Sequence, residues 1–270
     1  MALRAYLRVV TNVGASIGTG LAGVALALRS DTALLGALLI DAASFIVAAL
    51  MAARLPRFAP TRQHRGAAAR WAALRNRRYV VITSLDGILC MHRRVLTFGI
   101  PLWVGLHTDA PASLVAPLLL VNTAIAVSSQ IALARGVTTP RRAAVAMRHA
   151  GVALAAGWTL IAAAASAGPT LAITLMVIGV VAHTLGELWQ SAGSFELSYS
   201  LADASSHGQR QGVFGSGRGV ADIVGPALVS ALCLNWGAPG WLALALLVMA
   251  AGALAPRVVD RMPVNQPAST

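Results

Sequence analysis

His183-Thr-Leu-Gly-Glu187-Leu-Trp-Gln190 opens the stretch whose reading decides the fold. The run stays apolar to Leu201-Ala202, turns polar from Asp203 to Gln211, and becomes apolar and glycine-rich again up to Gly225-Pro226-Ala227-Leu228. Two apolar spans joined by a short basic loop fit this pattern, with Glu187 inside the first and Arg218 and Asp222 inside the second. Ionisable groups inside apolar spans are expensive and are usually kept for function.

Composition extends the same reading to the whole chain. Of 270 residues, 57% are hydrophobic and 11% charged, and the mean hydropathy is +0.71. Soluble domains carry about 25% charged residues. Runs of about 20 apolar residues, the length that crosses a bilayer as a helix, recur along the chain. The 21 cationic residues are all arginine and outnumber the 9 acidic ones, giving a net charge of +12. In a soluble chain this excess would point to nucleic acid. Here the arginines fall between the apolar runs, so the expected partner is the lipid bilayer and no nucleic acid is expected. Cys90 and Cys233 are isolated within apolar runs and match no disulfide or zinc spacing. The basic start lacks a small-residue cleavage site, which argues against a removable signal peptide.

The expected fold is all-α, a polytopic bundle of about eight membrane helices over residues 9–28, 33–53, 79–104, 112–134, 149–165, 169–197, 213–234 and 240–255. The organisation reads as a two-span segment (1–53), an arginine-rich linker (54–78), a six-helix bundle (79–256) and a polar tail (257–270). Within the linker, Trp71, Leu74 and Arg75 recur at helical spacing, as on a short surface helix or a solvated connection. Arginines crowd alternate loops: Arg4 and Arg8, the eight of the linker, Arg135 to Arg148, Arg210, and Arg257 with Arg261. The opposite loops hold only Arg29. By the positive-inside rule both termini and the linker are cytoplasmic, in a multi-pass protein of the cell membrane. The tryptophans at 103, 158, 189, 236 and 241 lie mostly near span ends and read as interface anchors.

Several motifs add up in order. Gly186-Glu187, Leu201-Ala202 before the loop, Arg210-x-Gly212 after it and Gly225-Pro226 together resemble the tenth and eleventh helices of the major facilitator superfamily of secondary transporters. Gly14-x-x-x-Gly18 followed by Gly23 is similar to the glycine motif of that family's fifth helix, which is associated with antiporters; Thr19 stands where the motif has proline. The arginine-rich segment resembles the linker between the family's two halves. The resemblance covers nearly all of the chain, which supplies helices five to twelve and lacks the first four. It implies a bacterial exporter type: a proton-coupled carrier that moves a small molecule out of the cell, with no cofactor. Two departures stand in the sixth span, Ala192-Gly193 where proline is common and Asp203 after Leu-Ala.

The residues to watch are the buried ionisable and polar ones. Asp86, His92, Arg93 and Arg94 interrupt the third span. Three ionised side chains cost about 9 kcal/mol against about 5 returned by its apolar residues, so this helix needs partners. Arg93 and Arg94 should meet acids on other helices, with Asp41, Glu187, Glu196 and Asp222 as candidates; with Asn122, Gln130 and Gln190 they are candidates for the substrate path. Arg218 and Asp222, one turn apart, can pair within their helix. Glu187 has no cation three or four residues away, and desolvation favours the neutral form of a carboxyl. Glu187, Asp86 and His183 are therefore the proton-coupling candidates. Gly14, Gly18, Gly225 and Pro226 read as helix-packing positions. No catalytic or metal-binding motif is present: HExxH, GxSxG and the Walker pattern are all missing. Beside the carrier, a transport-inactive piece of one and a membrane-embedded enzyme remain as readings.

Overall fold

The computed structural model describes residues 14, 18, 30–54, 72–201 and 207–261. The expected first span, most of the arginine-rich linker and nearly all of the polar tail lie outside these residues. The chain divides into two units, residues 1–63 and 64–270. Among the described residues every regular element is helical, and six helical stretches are long and apolar enough to cross a membrane.

In the first unit, α1 (Asp31–Ala53) is 23 residues long and buries none of them. Leu38, Phe45 and Met51 are all about two-thirds exposed, at 67%, 69% and 67%. Apart from exposed Asp41, the surface of α1 is largely apolar all round, as a lipid-facing helix presents. Gly14 and Gly18 are helical, and nothing lies within 4 Å of where a Cβ would stand on either. The close helix approach expected at this pair is not made among the described residues.

The second unit starts with a four-residue turn, α2 (Ala72–Arg75). Then come α3 (Arg77–Leu89), α4 (His92–Arg94), a π-helical segment (Val95–Gly99) and α5 (Ile100–His107). The expected unbroken third span is thus four pieces. The interruption falls on the His92-Arg93-Arg94 run, where polar side chains must be aimed at separate partners; π-segments commonly occur at such places. Four longer helices follow: α6 (Val115–Ala134), α7 (Pro140–Ala163), α8 (Pro169–Ser200) and α9 (His207–Val229). A second π-segment (Ser230–Asn235) and α10 (Ala238–Asp260) end the unit. The second π-segment follows Pro226, which removes one backbone donor from α9. The fifth span starts earlier than expected, because Thr139 caps α7 by accepting from Arg142 N and Pro140 takes the first turn.

At the centre lies α7, packed between α8 and α10; α6 adds to α8, and α3 packs on α9 and α10. Glycines let the backbones touch. Gly179, Gly186 and Gly193 repeat every seven residues along α8. A Cβ on Gly186 would stand 2.7 Å from Leu154 Cγ, and one on Gly193 2.7 Å from Ala143 O. On the other side of α7, a Cβ on Gly151 would lie 2.6 Å from Val248 O and 3.1 Å from Gly252 Cα. Without a strong hydrophobic force between helices in lipid, such close van der Waals approach is what holds them.

Three tryptophans overturn the interface-anchor expectation. Trp103, Trp158 and Trp241 are 1%, 0% and 0% exposed and meet edge to face in a central cluster, with ring centroids 5.6 Å (Trp103–Trp241) and 6.5 Å (Trp158–Trp241) apart. Trp103 Nε1 donates to Ile161 O at 2.8 Å. Trp236, by contrast, is 62% exposed. At the Arg210 exit, Tyr79 Oη donates to Arg210 O at 2.7 Å while the Arg210 guanidinium donates to Leu201 O at 2.6 Å and sits over the Tyr79 ring. Arg210 therefore ties the ends of α3, α8 and α9 together.

The glycine contacts are testable. Gly151→Ala should lower stability by about 1–3 kcal/mol through overpacking. Gly105→Ala, where nothing lies within 4 Å, should gain up to about 1 kcal/mol from helix propensity. Thermal unfolding in detergent measures both, and equal shifts would show that close approach at Gly151 does not matter.

Candidate functional site

The face of α8 next to its glycine stripe carries His183, Glu187, Gln190 and Ser194, at spacings of four, three and four residues. Such spacing lines up side chains along one side of a helix. Opposite them α3 offers Asp86 and Cys90, also one turn apart, and α6 offers Asn122. All lie inside an otherwise apolar bundle; Asp86 is 1% and His183 0% exposed.

Asp86 is the most connected. Gln190 Nε2 donates to its Oδ1 at 2.8 Å, and Ser194 Oγ to its Oδ2 at 3.1 Å. The Cys90 thiol lies 3.8 Å from Oδ2 and is 3.2 Å from Gln190 Nε2. With its amide nitrogen turned to the carboxylate, Gln190 presents Oε1 to His92 Nε2 at 3.4 Å. His92 Nε2 therefore donates, and in a neutral ring Nδ1 holds the lone pair.

His183 is fixed from the other direction. The Trp158 indole N–H, which can only donate, points at His183 Nδ1 at 3.0 Å. That nitrogen accepts, so a neutral His183 carries its proton on Nε2. The two imidazoles meet edge to face with centroids 5.7 Å apart. Half-buried Glu187 receives Asn122 Nδ2 on Oε2 at 3.0 Å, and the same amide donates to Thr184 Oγ1 at 2.9 Å. Glu187 thus has a neutral donor from α6, where the sequence offered no partner.

One ring nitrogen each of His92 and His183 and a Glu187 carboxylate oxygen lie within 4.8 Å of one another. Two histidines and a carboxylate are a familiar metal set. The tautomers argue against that use: with Nδ1 engaged by Trp158, His183 has a hydrogen rather than a lone pair on Nε2. Only His92 Nδ1 and the carboxylate are free to donate electron pairs.

A second, ionic cluster lies nearby. Arg94 Nη2 is 3.2 Å and Arg93 Nε 3.7 Å from Asp222 Oδ1, on α9. Of the four acids expected for these arginines, Asp222 pairs with both. Arg218, expected to pair with Asp222 in its own helix, makes no ion pair with it among the described residues. Two guanidiniums from α4 already flank that carboxylate, and the Arg218 side chain is exposed. Gly225 gives way to an arginine: a Cβ there would stand 2.7 Å from Arg94 Cγ. The Gly-Pro pair therefore makes room for the Arg94 stem and precedes the π-segment.

Of the candidates, Asp86, Gln190, Glu187, His183 and Asn122 come together in one polar core. Arg93 and Arg94 stand on its α9 side, and Gln130 is about 12 Å further along α6 than Asn122. The sequence reading missed Thr184, Ser194, Cys90 and Trp158. The four-three-four polar spacing on α8 was the available signal for Ser194. No family model, curated protein or solved structure matches this chain.

If the Asp86–Gln190 bond holds α3 to α8, a double-mutant cycle of Asp86→Ala and Gln190→Ala should give a coupling of about 1.5–3 kcal/mol, as for hydrogen bonds to charged groups. Additive losses in detergent unfolding would show that the two side chains act independently.

Proposed function

We propose that this chain is a secondary carrier of the major facilitator type, coupling the movement of a small molecule across the cell membrane to protons, in the direction of export. The observation that supports this most is the buried polar core itself. Asp86, His92, His183 and Glu187 are four titratable groups on three helical elements, joined through Gln190 and, by ring contact, through the two histidines. Titratable chains in the interior of a membrane bundle mark ion and proton routes. A core meant only to hold helices together needs no titratable groups, since amides and hydroxyls do that work. The ordered motifs of the α8–α9 region add to this reading. So does the concentration of arginine in alternate loops, which by the positive-inside rule favours cytoplasmic termini and a cytoplasmic linker.

In this mechanism Glu187 takes up and releases the coupling proton. Asn122 orients its carboxyl, and Asp86 with Gln190 holds His92 in register. Arg93 and Arg94, partly exposed at 53% and 38% of their side chains, offer cationic contacts where the core meets its surroundings.

Two measurements bear on this. Reconstituted in liposomes with a trapped pH dye, the protein should collapse an imposed proton gradient faster when substrate is present, and Glu187→Gln should abolish that difference while leaving folding intact. Wild-type behaviour of Glu187→Gln would take the proton role from this residue. Single cysteines at Arg75 and Asp109, both exposed, should label from opposite sides of the membrane. Labelling from one side would remove the proposed topology. Asp109 is the better reporter than its neighbour Ala110, which is buried.

A further inference from the structure

Two buried polar atoms in the core make no hydrogen bond among the described residues: His92 Nδ1 and His183 Nε2. Buried polar atoms ordinarily have partners. Their hydrogen-bonding characters are opposite. His92 Nδ1 offers a lone pair, because Nε2 donates to Gln190; His183 Nε2 offers a hydrogen, because Nδ1 accepts from Trp158. The nearby Glu187 carboxylate adds acceptor capacity beyond its contact with Asn122. The three residues together thus ask for a group that donates twice and accepts once.

We propose that His92, His183 and Glu187 bind a single buried water molecule, through which a proton passes between the Glu187 carboxyl and Nδ1 of His92. A water donates two hydrogens, here to His92 and Glu187, and accepts one, here from His183. It needs two to four polar partners to stay in a protein interior. Partners arranged tetrahedrally at about 2.8 Å stand about 4.6 Å apart; one ring nitrogen of each histidine and a Glu187 carboxylate oxygen lie within 4.8 Å of one another, so the three side chains are close enough to share one water. A metal cation would require a lone pair where His183 has a hydrogen, and an ammonium group would place a hydrogen against it.

The transfer balances. With Glu187 protonated, its O–H bond breaks and the proton joins the water oxygen. One original O–H bond of the water breaks as its proton binds His92 Nδ1. Water is regenerated, leaving a carboxylate and an imidazolium. His183 keeps its proton throughout and only holds the water in place. The charges acting on His92 are Glu187 from α8, Arg93 from its own turn and Arg218 from α9. Asp86 on α3 reaches it through the Gln190 amide, and His92 is the neighbour that acts on His183. The site deepens the proton-coupled reading above and names the route.

The test uses the full chain in nanodiscs with 15N-labelled histidine, its signals assigned by His92→Gln and His183→Gln. Nitrogen shifts should show both rings protonated at Nε2, with magnetisation passing from water to the His183 Nε2–H. Glu187→Gln should keep that water contact but slow proton exchange at His92 by about 10²-fold, the usual loss of a general acid. Trp158→Phe, which leaves the ring volume largely in place, should free His183 to populate both tautomers. Three results would each overturn the site: a proton on His183 Nδ1, no transfer from water, or Zn²⁺ at micromolar levels shifting both rings. None of these readings needs transport. A chain that moves no substrate yet shows the water contact loses the carrier reading alone, whereas a working carrier without the contact loses only the water.

Discussion

Asp86 is a carboxylate with almost no contact with its surroundings outside the protein, in a span that would be too polar to sit in lipid alone. Everything near it answers that constraint. Gln190 and Ser194 give it two donors from α8, 2.8 and 3.1 Å away. A buried charge stripped of such partners typically costs 3–5 kcal/mol. The placement of α8 beside α3 is therefore fixed by chemistry at Asp86 as much as by shape, and Gln190, committed to Asp86, in turn sets the tautomer of His92.

The two helices that carry the densest charge are also the two that depart from α-helical geometry. α3 and its continuation break around His92-Arg93-Arg94 and pass through a π-segment before α5; α9 passes through another after Pro226. The π-segments pack near each other, with a Cβ on Gly99 only 2.8 Å from Val229 Cγ1. A regular helix would place Arg93 and Arg94 about 100° apart around its axis. Both nevertheless reach one carboxylate, Asp222, at 3.7 and 3.2 Å.

Much of this was legible in the sequence, and the limits are physical. Apolar run length located α1 and the long α8, and the isolated charges identified Asp86, Glu187 and Asp222 as residues that needed partners. Periodicity did not reveal the break in the third span, because the cause lies in partners on α8 and α9, about 100 and 130 residues away. The tryptophans misled for a related reason: position along a span does not say which side of the helix faces protein. Intrahelical spacing favoured Arg218 for Asp222, whereas two arginines from another element outcompeted it. The seven-residue glycine repeat of α8 was present in plain view, yet its meaning depends on α7 offering Ile161, Leu154 and Ala143 at matching heights.

These features bear on how the bundle can assemble. α7, α8 and α10 are joined by backbone-close glycine contacts that need no charged partner, so they can pack as soon as they are side by side. α3 and α4 cannot: their ionised residues cost about 9 kcal/mol at the membrane centre and recover only about 5 from apolar neighbours. The deficit closes only when Gln190, Ser194 and Asp222 are in place, all supplied by later helices. Residues 77–107 thus depend on contacts that α8 and α9 supply. Their division into short pieces lets each piece meet its own partner: Asp86 meets Gln190 and Ser194 on α8, and Arg93 and Arg94 meet Asp222 on α9.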